Sequence, residues 1–278
     1  MVDIIKASGE VEPFDPEKLL SSLKRSGASE ELAQKVLENI LPEITSNTKT
    51  KTIYRLAYRE LKRLNHTSSL RYSLKKAIFR LGPTGYPFEK YFAELLKSYG
   101  YKTDVGLIID GRCIKHEVDV LAVNESEVMV IECKYHNSPG RTTNSRDALY
   151  VHSRFEDLRP MIEQQYKGKK FTGYLVTNTR FSTDAIKYAE CSGYKLIGWK
   201  YPHGGGLERM VEDQRLYPVT IISGIQKRLS EVLIKKGFIL LKDILSMDIE
   251  RLQTILGIPY HNVKKLREKA ELLCGRTK

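Results

Sequence analysis

The sequence lacks three features that would each place it in a particular class of protein. No apolar run approaches the roughly 18–20 residues of a membrane-spanning helix, so we expect no membrane partner. The N-terminus carries no signal-peptide pattern, which favours a cytoplasmic protein. The four cysteines, Cys113, Cys133, Cys191 and Cys274, form no C-x-x-C pair. Their scatter argues against a zinc site and gives no sign of a disulfide framework.

Acidic residues are scarce relative to basic ones. The 278 residues include 46 Lys and Arg against 34 Asp and Glu, a formal net charge of +12. Residues 219–278 hold twelve Lys and Arg against six Asp and Glu, so half of the excess charge lies in the last sixty residues. This distribution favours a polyanionic partner such as DNA. The apolar share of 41% is typical of a folded protein, and the length predicts two or three domains.

The stretch 115–135 places charged residues inside two apolar strands. Residues 117–122 and 128–134, separated by a turn-like Asn-Glu-Ser-Glu, predict a β-hairpin. Asp119 lies in the first strand, and Glu132 and Lys134 share a face of the second. A buried charge is costly unless it is paired or binds a metal, and carboxylate oxygens suit Mg²⁺. A solvated hairpin with ordinary cross-strand ion pairs is the alternative.

Residues 1–82 predict a small β-hairpin followed by a helical bundle. Strand-like pieces at 3–6 and 11–14 precede helices that begin at Asp15-Pro16 and cover 29–41, 50–64 and 68–81. In this order the segment resembles the ATP-cone domain, a nucleotide-binding regulatory module. The residues that carry the resemblance are Ile5, Lys6, Gly9, Glu12, Phe14, Lys18, Leu19, Thr50, Ile53, Arg71 and Tyr72.

The ATP-cone resemblance implies that ATP or dATP is an effector bound by Lys6, Lys18 and Thr50. Ala7 departs from the family pattern, because Arg usually follows the first lysine. One phosphate-binding cation is therefore missing. A domain kept for packing or dimerisation is the alternative.

Residues 83–200 predict a helix–strand–strand–helix–strand order around the hairpin. An amphipathic helix at 88–100 precedes strand material at 101–110, and a helix at 145–165 follows the hairpin. A strand at 172–178, a helix at 182–191 and a strand at 194–199 predict a parallel crossover. The span resembles the Mrr-like branch of the PD-(D/E)xK nuclease superfamily. The motifs that carry the resemblance are Phe88-Glu89, Gly100-Tyr101, Val118-Asp119-Val120, Ile131-Glu132-Cys133-Lys134, Leu175-Val176-Thr177-Asn178 and Phe181-Ser182-x-x-Ala185.

The nuclease resemblance implies the site residues. The catalytic set falls on Glu89, Asp119, Glu132 and Lys134, with Mg²⁺ or Mn²⁺ held by Asp119, Glu132 and the main-chain carbonyl of Cys133. Mrr-like sequences often carry Gln where this chain keeps Glu132, and Val118 replaces the proline of the motif's name.

Other ionisable residues flank the hairpin. Glu117, two residues before Asp119 and on the same face of a strand, is the less favoured spare acid. We expect His116 and His136 to lie in exposed substrate-facing loops or at satisfied surface positions rather than to act as general bases.

Residues 201–218 predict a linker, and residues 219–278 predict a small helical domain with two similar halves. Each half places a glycine-containing hairpin, at 222–226 and 256–259, before an amphipathic helix. The segment resembles a helix-hairpin-helix pair, although Gln226 replaces a glycine in the first hairpin. Such hairpins bind DNA phosphates without reading bases. The implied contacts are Lys227, Arg228, Gly257, Lys264 and Lys265. A small interaction or dimerisation bundle is the alternative.

Together these observations predict an α/β multidomain protein. A restriction-endonuclease-like mixed-sheet core at 83–200 is flanked by an α-helical ATP-cone with a short β-hairpin at 1–82 and by an all-α domain at 219–278. The predicted function is Mg²⁺-dependent DNA endonuclease, regulated by ATP or dATP, and we expect a homodimer. The alternatives are a Holliday-junction or branched-DNA resolvase and a non-catalytic DNA-binding protein with a vestigial nuclease fold.

Overall fold

A computed structural model describes residues 2–222 and 225–275 of the chain. Within them lie thirteen α-helices and ten β-strands, which confirms the predicted multidomain α/β class. The chain folds as two compact units. The first comprises Met1–Ile78, Val219–Leu233 and Leu241–Lys278, and the second comprises Phe79–Pro218 and Ile234–Leu240. The predicted helical segments at the two ends of the chain therefore belong to one unit. The exact domain boundaries stay predictions.

The N-terminal segment has a three-stranded sheet beside a helical bundle. Its elements are β1 (Asp3–Ile5), β2 (Val11–Pro13), α1 (Pro16–Arg25), α2 (Glu30–Ile40), β3 (Thr48–Lys49), α3 (Thr50–Leu64), α4 (His66–Tyr72) and α5 (Leu74–Ile78). Strand β1 pairs antiparallel with β2, as predicted, and parallel with β3, which the sequence analysis missed. Leu23, Ala33, Val36 and Leu61 are fully buried in the bundle core.

The single helix predicted at 68–81 is wrong, because the structure divides this stretch into α4 and α5 at Ser73. The Ser73 hydroxyl donates to the carbonyl of Leu70 at 2.7 Å. A serine side chain that takes a helix carbonyl competes with the backbone ladder, which explains the interruption.

The second unit begins after residue 78 and contains the larger sheet. Its elements are α6 (Tyr86–Ser98), β4 (Lys102–Asp110), β5 (Lys115–Val123), β6 (Glu127–Lys134), β7 (Thr142–Thr143), α7 (Ser145–Gln165), β8 (Lys170–Thr177), β9 (Arg180–Phe181), α8 (Thr183–Ser192), β10 (Lys195–Ile197) and α9 (Leu207–Gln214).

The five strands of the larger sheet lie in the order β10-β8-β6-β5-β4. The β4–β5 and β5–β6 pairs are antiparallel, whereas β6–β8 and β8–β10 are parallel. The predicted hairpin and the parallel crossover through α8 are therefore confirmed. Buried side chains of α7 and α8, including Phe155, Leu158 and Ala185, pack against the strands in one apolar core.

The predicted linker at 201–218 is wrong as an extended connection, since it contains α9. Leu207 and Val211 on this helix are fully buried. The buried Tyr91 hydroxyl of α6 donates to the carbonyl of Leu216 at 2.8 Å. Burial of large side chains with their polar groups satisfied makes residues 207–216 part of the second unit.

The C-terminal segment is all-helical, as predicted. Its helices are α10 (Lys227–Lys235), α11 (Leu241–Ser246), α12 (Ile249–Leu256) and α13 (Tyr260–Cys274). Within the first unit, the buried Thr220 hydroxyl donates to the carbonyl of Ala77 at 2.7 Å. This bond ties the C-terminal segment to the end of α5. Ser223 and Gly224 of the first predicted hairpin lie outside the described residues.

None of the helices in the described part of the chain combines the length and the apolar character needed to cross a bilayer.

Candidate active site

Asp119 and Glu132 meet where β5 and β6 lie side by side. The antiparallel ladder pairs Val120 with Ile131, and the same register continued by one residue places Asp119 opposite Glu132. Beyond that pair the N–H of Cys133 donates to the Asp119 carboxylate at 2.7 Å. The carboxylate is thus fixed by a backbone donor at the end of the ladder.

The neighbouring strand is locally distorted at the same level. Strand β4 pairs Val105 with Val120 and Leu107 with Val118, so Gly106 falls opposite Asp119. Gly106 has φ +68°, a left-handed conformation that side-chain-bearing residues adopt at a cost. The left-handed residue of β4 therefore lies opposite Asp119, the central acid of the site.

Burial and mutual repulsion disfavour the charged forms of the acids. Burial, with further contributions from Asp119, Glu117 and Glu132, raises the pKa of Glu89 to about 7. Burial and the charge of Asp119 raise the pKa of Glu132 to about 7 as well. Burial also raises the pKa of Asp119, opposed by the hydrogen bond from Cys133. Glu89 on α6 therefore lies close enough to the hairpin acids for their charges to act on it.

A partly buried arginine pairs with one of these acids. The Arg154 Nη1 lies 2.5 Å from Oε2 of Glu132, and the exposed fractions of the two side chains are 15% and 19%. The Arg154 Nη2 also donates to the main-chain carbonyl of Glu117. Arg154 on α7 therefore links Glu132 of β6 to the main chain of β5 at Glu117.

Lys134 lies at the exposed end of β6 and contacts the start of α7. Its Nζ is 3.1 Å from Oδ1 of Asp147. The other oxygen of Asp147 accepts the N–H of Asn144, whose side chain caps the helix in return. This capping box fixes Asp147, so the first turn of α7 sets where the lysine ammonium lies.

The carboxylates of Glu89, Asp119 and Glu132 suit a hard divalent cation. Each carboxylate disfavours ionisation of its neighbours, and a positive charge between them would stabilise the ionised forms. No three His, Cys, Asp or Glu side chains converge as a preformed metal-binding group in residues 2–222 and 225–275. Glu132 is instead turned to Arg154. Metal binding would accordingly have to rearrange this ion pair.

Both histidines that flank the hairpin have hydrogen-bond partners, as one of the two expected alternatives had it, but they are partly buried and not exposed. His116 lies in β5, and His136 lies in the loop after β6. The His116 Nε2 lies 2.8 Å from Oδ2 of Asp157, and its side chain is only 9% exposed. The His136 Nε2 lies 3.1 Å from the Thr143 hydroxyl, and burial lowers the pKa of His136. Glu117 is exposed, yet its charge reaches the acid cluster.

The predicted nucleotide-binding lysines face a common acid in the first unit. The Lys6 Nζ lies 2.6 Å from Oε2 of Glu12, and the Lys18 Nζ lies 3.8 Å from the same atom. The hydrogen bond from Lys6 lowers the pKa of Glu12. Thr50 is the first residue of α3, whose N-cap Lys49 makes no side-chain cap.

The predicted DNA-contacting residues of the C-terminal segment are solvent-facing. Lys227, Arg228, Lys264 and Lys265 are all exposed. Gly257 ends α12 with φ +61°, and Ile258 and Pro259 connect it to α13. The second predicted hairpin is thus a short helix–turn–helix connection with a left-handed glycine.

Sequence reasoning missed Arg154, Asp147 and Asp157 as partners of the site. Arg154 is one of three arginines on α7, with Arg146 and Arg159. Local periodicity predicts the helix, but it does not say which arginine meets Glu132. The Asn144-x-x-Asp147 spacing was the one available signal, since it is typical of a helix cap.

Three family models match successive parts of the chain. The model of the ATP cone domain matches residues 2–75, and the nuclease-related domain matches residues 84–189. The model described as AF1548-like, C-terminal, matches residues 217–274. The hairpin acids, Arg154 and Lys134 therefore lie within the part of the chain that matches the nuclease-related domain.

Two relatives identify the family. An uncharacterized protein of Archaeoglobus fulgidus is 38% identical over 183 residues, covering 66% of this chain and 99% of the relative. The crystal structure of the protein of unknown function AF1548 matches with a TM-score of 0.57 and 34% identity, covering 69% of this chain and 99% of that one. The chain belongs to the AF1548-like family.

Proposed function

We propose that this protein is a metal-dependent DNA endonuclease of the Mrr-like branch of the PD-(D/E)xK superfamily. The observation that carries the proposal is the hydrogen bond from the N–H of Cys133 to the Asp119 carboxylate, which fixes this acid at the residue between Glu132 and Lys134. The match of residues 84–189 to a nuclease-related domain supports it. A solvated hairpin with ordinary ion pairs would not raise the pKa values of Glu89 and Glu132 to about 7.

Asp119, Glu132 and the main-chain carbonyl of Cys133 would hold Mg²⁺ or Mn²⁺, with Glu89 acting through a water. The bound ion would supply positive charge to the phosphodiester oxygens and lower the pKa of a coordinated water. Cys133 contributes only its backbone here, because burial raises the pKa of its thiol well above the usual range.

Lys134 would orient the attacking water and stabilise negative charge in the transition state. Its 47% exposed side chain supports this role, since substrate can reach the ammonium from solvent. Asp147 holds the ammonium in place before substrate arrives. Glu89, with a pKa of about 7, would exchange protons with water near neutral pH.

The N-terminal domain would bind ATP or dATP through Lys6, Lys18 and Thr50 and regulate cleavage or assembly. The ATP cone match supports a nucleotide effector. Phosphates would take over the two lysine contacts now made by Glu12. Titration of the full chain with ATP and dATP by calorimetry tests this, and absence of binding would remove the regulatory role.

The C-terminal domain would dock on DNA as a helix-hairpin-helix pair, covering residues 219–278. The exposed lysines beside the Gly257 turn support phosphate contact without base readout. Replacing Lys264 and Lys265 by Ala should weaken binding uniformly across sequences and reduce the salt slope by about 1 per lysine. Lys236→Ala, another exposed lysine of the segment, is the control. An unchanged slope in the double variant would contradict phosphate contact.

We further propose a homodimer, with domains at 1–82, 83–200 and 219–278. Sedimentation of the full chain with and without ATP would test the oligomeric state, and a single monomeric species in both conditions would contradict the dimer.

The central experiment is incubation of the full chain with supercoiled plasmid, linear duplex and a four-way junction, in Mg²⁺ or in EDTA. Cutting of plasmid and duplex that requires Mg²⁺ supports the endonuclease. Cutting confined to the junction would instead support a branched-DNA resolvase. No cutting of any substrate would favour a DNA-binding protein with a vestigial nuclease fold.

A further inference from the structure

A cleft of about 590 Å³ lies beside the acid cluster in the second unit. Its lining includes Arg154, which pairs with Glu132, and Glu117, whose charge raises the pKa of the neighbouring acids. The cleft therefore borders the candidate active site through Arg154 and Glu117. The other residues that define its character are Ile114, Lys115, Tyr150 and Asp157.

The cleft exposes an unusual amount of aromatic and aliphatic surface. Tyr150 is 63% exposed and Ile114 is 64% exposed, although both are large apolar side chains. Tyr150 lies one helical turn before Arg154 on α7, and the guanidinium is 5.7 Å from the centre of the tyrosine ring. An exposed aromatic ring next to a cation is the combination that holds a nucleobase and its phosphate.

Buried contacts fix the shape of this cleft. Oδ1 of Asp157 accepts the N–H of Cys113 at 2.8 Å, and Oδ2 accepts the N–H of Ile114 at 3.2 Å. Oδ2 also contacts His116 at 2.8 Å, and both of these side chains are nearly buried. A Cβ added to Gly111 would lie 2.2 Å from Oδ2 of Asp157. The turn between β4 and β5 is thereby locked to α7, with Ile114 held in solvent.

We propose that this cleft binds an unpaired nucleobase, stacked on Tyr150, next to the phosphodiester that the acid cluster cleaves. The placement next to the scissile bond rests on the nuclease function proposed above. In a duplex both faces of each base are covered by its neighbours, so the tyrosine ring can stack only on a base that has left the helix. Lys115, whose side chain is 72% exposed, can contact an adjoining phosphate. Arg154 is already paired with Glu132. The cleft would thus favour DNA with unpaired nucleotides at the cut, as in single strands, flaps or the bubbles of a supercoiled plasmid, over fully paired duplex.

The test measures binding in EDTA, so that it does not depend on cleavage. Fluorescence anisotropy compares the full chain on a labelled single strand and on a blunt duplex of the same sequence. We expect Tyr150→Ala to weaken binding to the single strand by about tenfold and to leave duplex binding within about twofold, since stacking on an aromatic side chain contributes on this scale per base. Tyr150→Phe keeps the ring and should bind like wild type.

Leu149→Ala is the matched control, because Leu149 is also exposed on α7 but does not line the cleft. Equal weakening of single-strand and duplex binding by Tyr150→Ala would overturn the proposal, as would no change on either. The test distinguishes failure of this proposal from failure of the nuclease proposal. If Tyr150→Ala selectively weakens single-strand binding but wild type cleaves no DNA, the base-binding cleft stands and the nuclease proposal fails. If wild type cleaves DNA but Tyr150→Ala binds single strands normally, the nuclease proposal stands and the base-binding cleft fails.

Discussion

The guanidinium of Arg154 lies 2.5 Å from the carboxylate of Glu132, so the acid that the sequence assigns to a metal already has a cationic partner. The charge of Arg154 opposes the burial that raises the pKa of Glu132. In the metal-free protein the arginine therefore offsets part of the repulsion among the acids. A metal ion at this site would compete with the arginine for the same carboxylate.

We expect Arg154→Ala to lower the free energy of unfolding in EDTA by about 1.5–3 kcal/mol, because it leaves a largely buried carboxylate without its charged hydrogen-bond donor. Mg²⁺ should raise the melting temperature of the variant more than that of wild type, since the ion would replace the lost cation. Thermal melts with and without Mg²⁺ measure both effects. The control is Arg209→Ala, which removes an exposed ion pair with Asp213 and should change stability by less than about 1 kcal/mol. Equal Mg²⁺ shifts in wild type and Arg154→Ala would contradict competition for Glu132.

The raised pKa values of Glu89 and Glu132 predict a pH dependence. Between the ordinary value of 4.5 and about 7, the folded state binds more protons at these groups than the unfolded state. The contribution of these two acids to the stability of the metal-free protein should therefore fall as pH rises through this range. Mg²⁺ binds the ionised carboxylates, so its stabilising effect should be larger at pH 8 than at pH 6.

Chemical denaturation at a series of pH values, in EDTA and in Mg²⁺, measures this dependence. The double variant Glu89→Gln with Glu132→Gln removes both titrating groups, so the stability of wild type relative to this variant should fall between pH 4.5 and 7 in EDTA. A difference between the two proteins that stays constant or rises with pH would show that the acids are not held in a repulsive, buried cluster.

Gly106 offers a test of the strand distortion opposite Asp119. Gly106→Ala should lower the free energy of unfolding by about 1–2 kcal/mol, because its left-handed backbone disfavours a side chain. It should also reduce cleavage by displacing Asp119. Gly168→Ala carries a similar strain at φ +82° in the turn after α7, with equally open space around the added carbon. We expect that control to lose similar stability and to keep full activity. Equal activity of the two variants would mean that the distortion has no role in placing Asp119.

The contacts of Lys6 and Lys18 with Glu12 lead to a prediction about ATP binding by the N-terminal domain. Lys6→Ala and Lys18→Ala should each abolish ATP binding by calorimetry, because each removes a phosphate-facing cation. Glu12→Gln should bind ATP severalfold more tightly, since phosphate no longer competes with a carboxylate for the lysines. Lys35→Ala, an exposed lysine on α2, is the control. ATP binding that survives in both lysine variants would contradict the assignment.

The sequence predicts those parts of the fold that local patterns determine. The hairpin follows from two apolar runs around a turn, and α7 begins and ends at the predicted residues, Ser145 and Gln165. The relation of Glu132 to Lys134 follows from strand periodicity alone. The nearness of Glu89 to the hairpin came from family resemblance, because no local pattern relates a helix residue to strands that follow it.

Other features depend on contacts between distant residues. The single helix predicted at 68–81 is wrong because the Ser73 side chain competes for a carbonyl, which composition does not reveal. Helix α9 was taken for a linker because the glycines at 204–206 dominate the pattern before it, whereas buried Leu207 and Val211 are explained only by the tertiary structure. The pairing of Arg154 with Glu132 joins residues 22 positions apart. It depends on how α7 crosses the sheet.

The most direct test of the account is cleavage of supercoiled plasmid in Mg²⁺ by wild type, Asp119→Ala and Lys134→Ala. Wild type should nick or linearise the plasmid only when Mg²⁺ is present. Each variant should lose activity by about 100-fold or more, because each removes either the metal-holding acid or the charge that stabilises the transition state. Lys187→Ala, an exposed lysine on α8 that belongs to no proposed site, should retain cleavage within a few-fold. Cleavage by both Asp119→Ala and Lys134→Ala at the wild-type rate would contradict the assignment of the site.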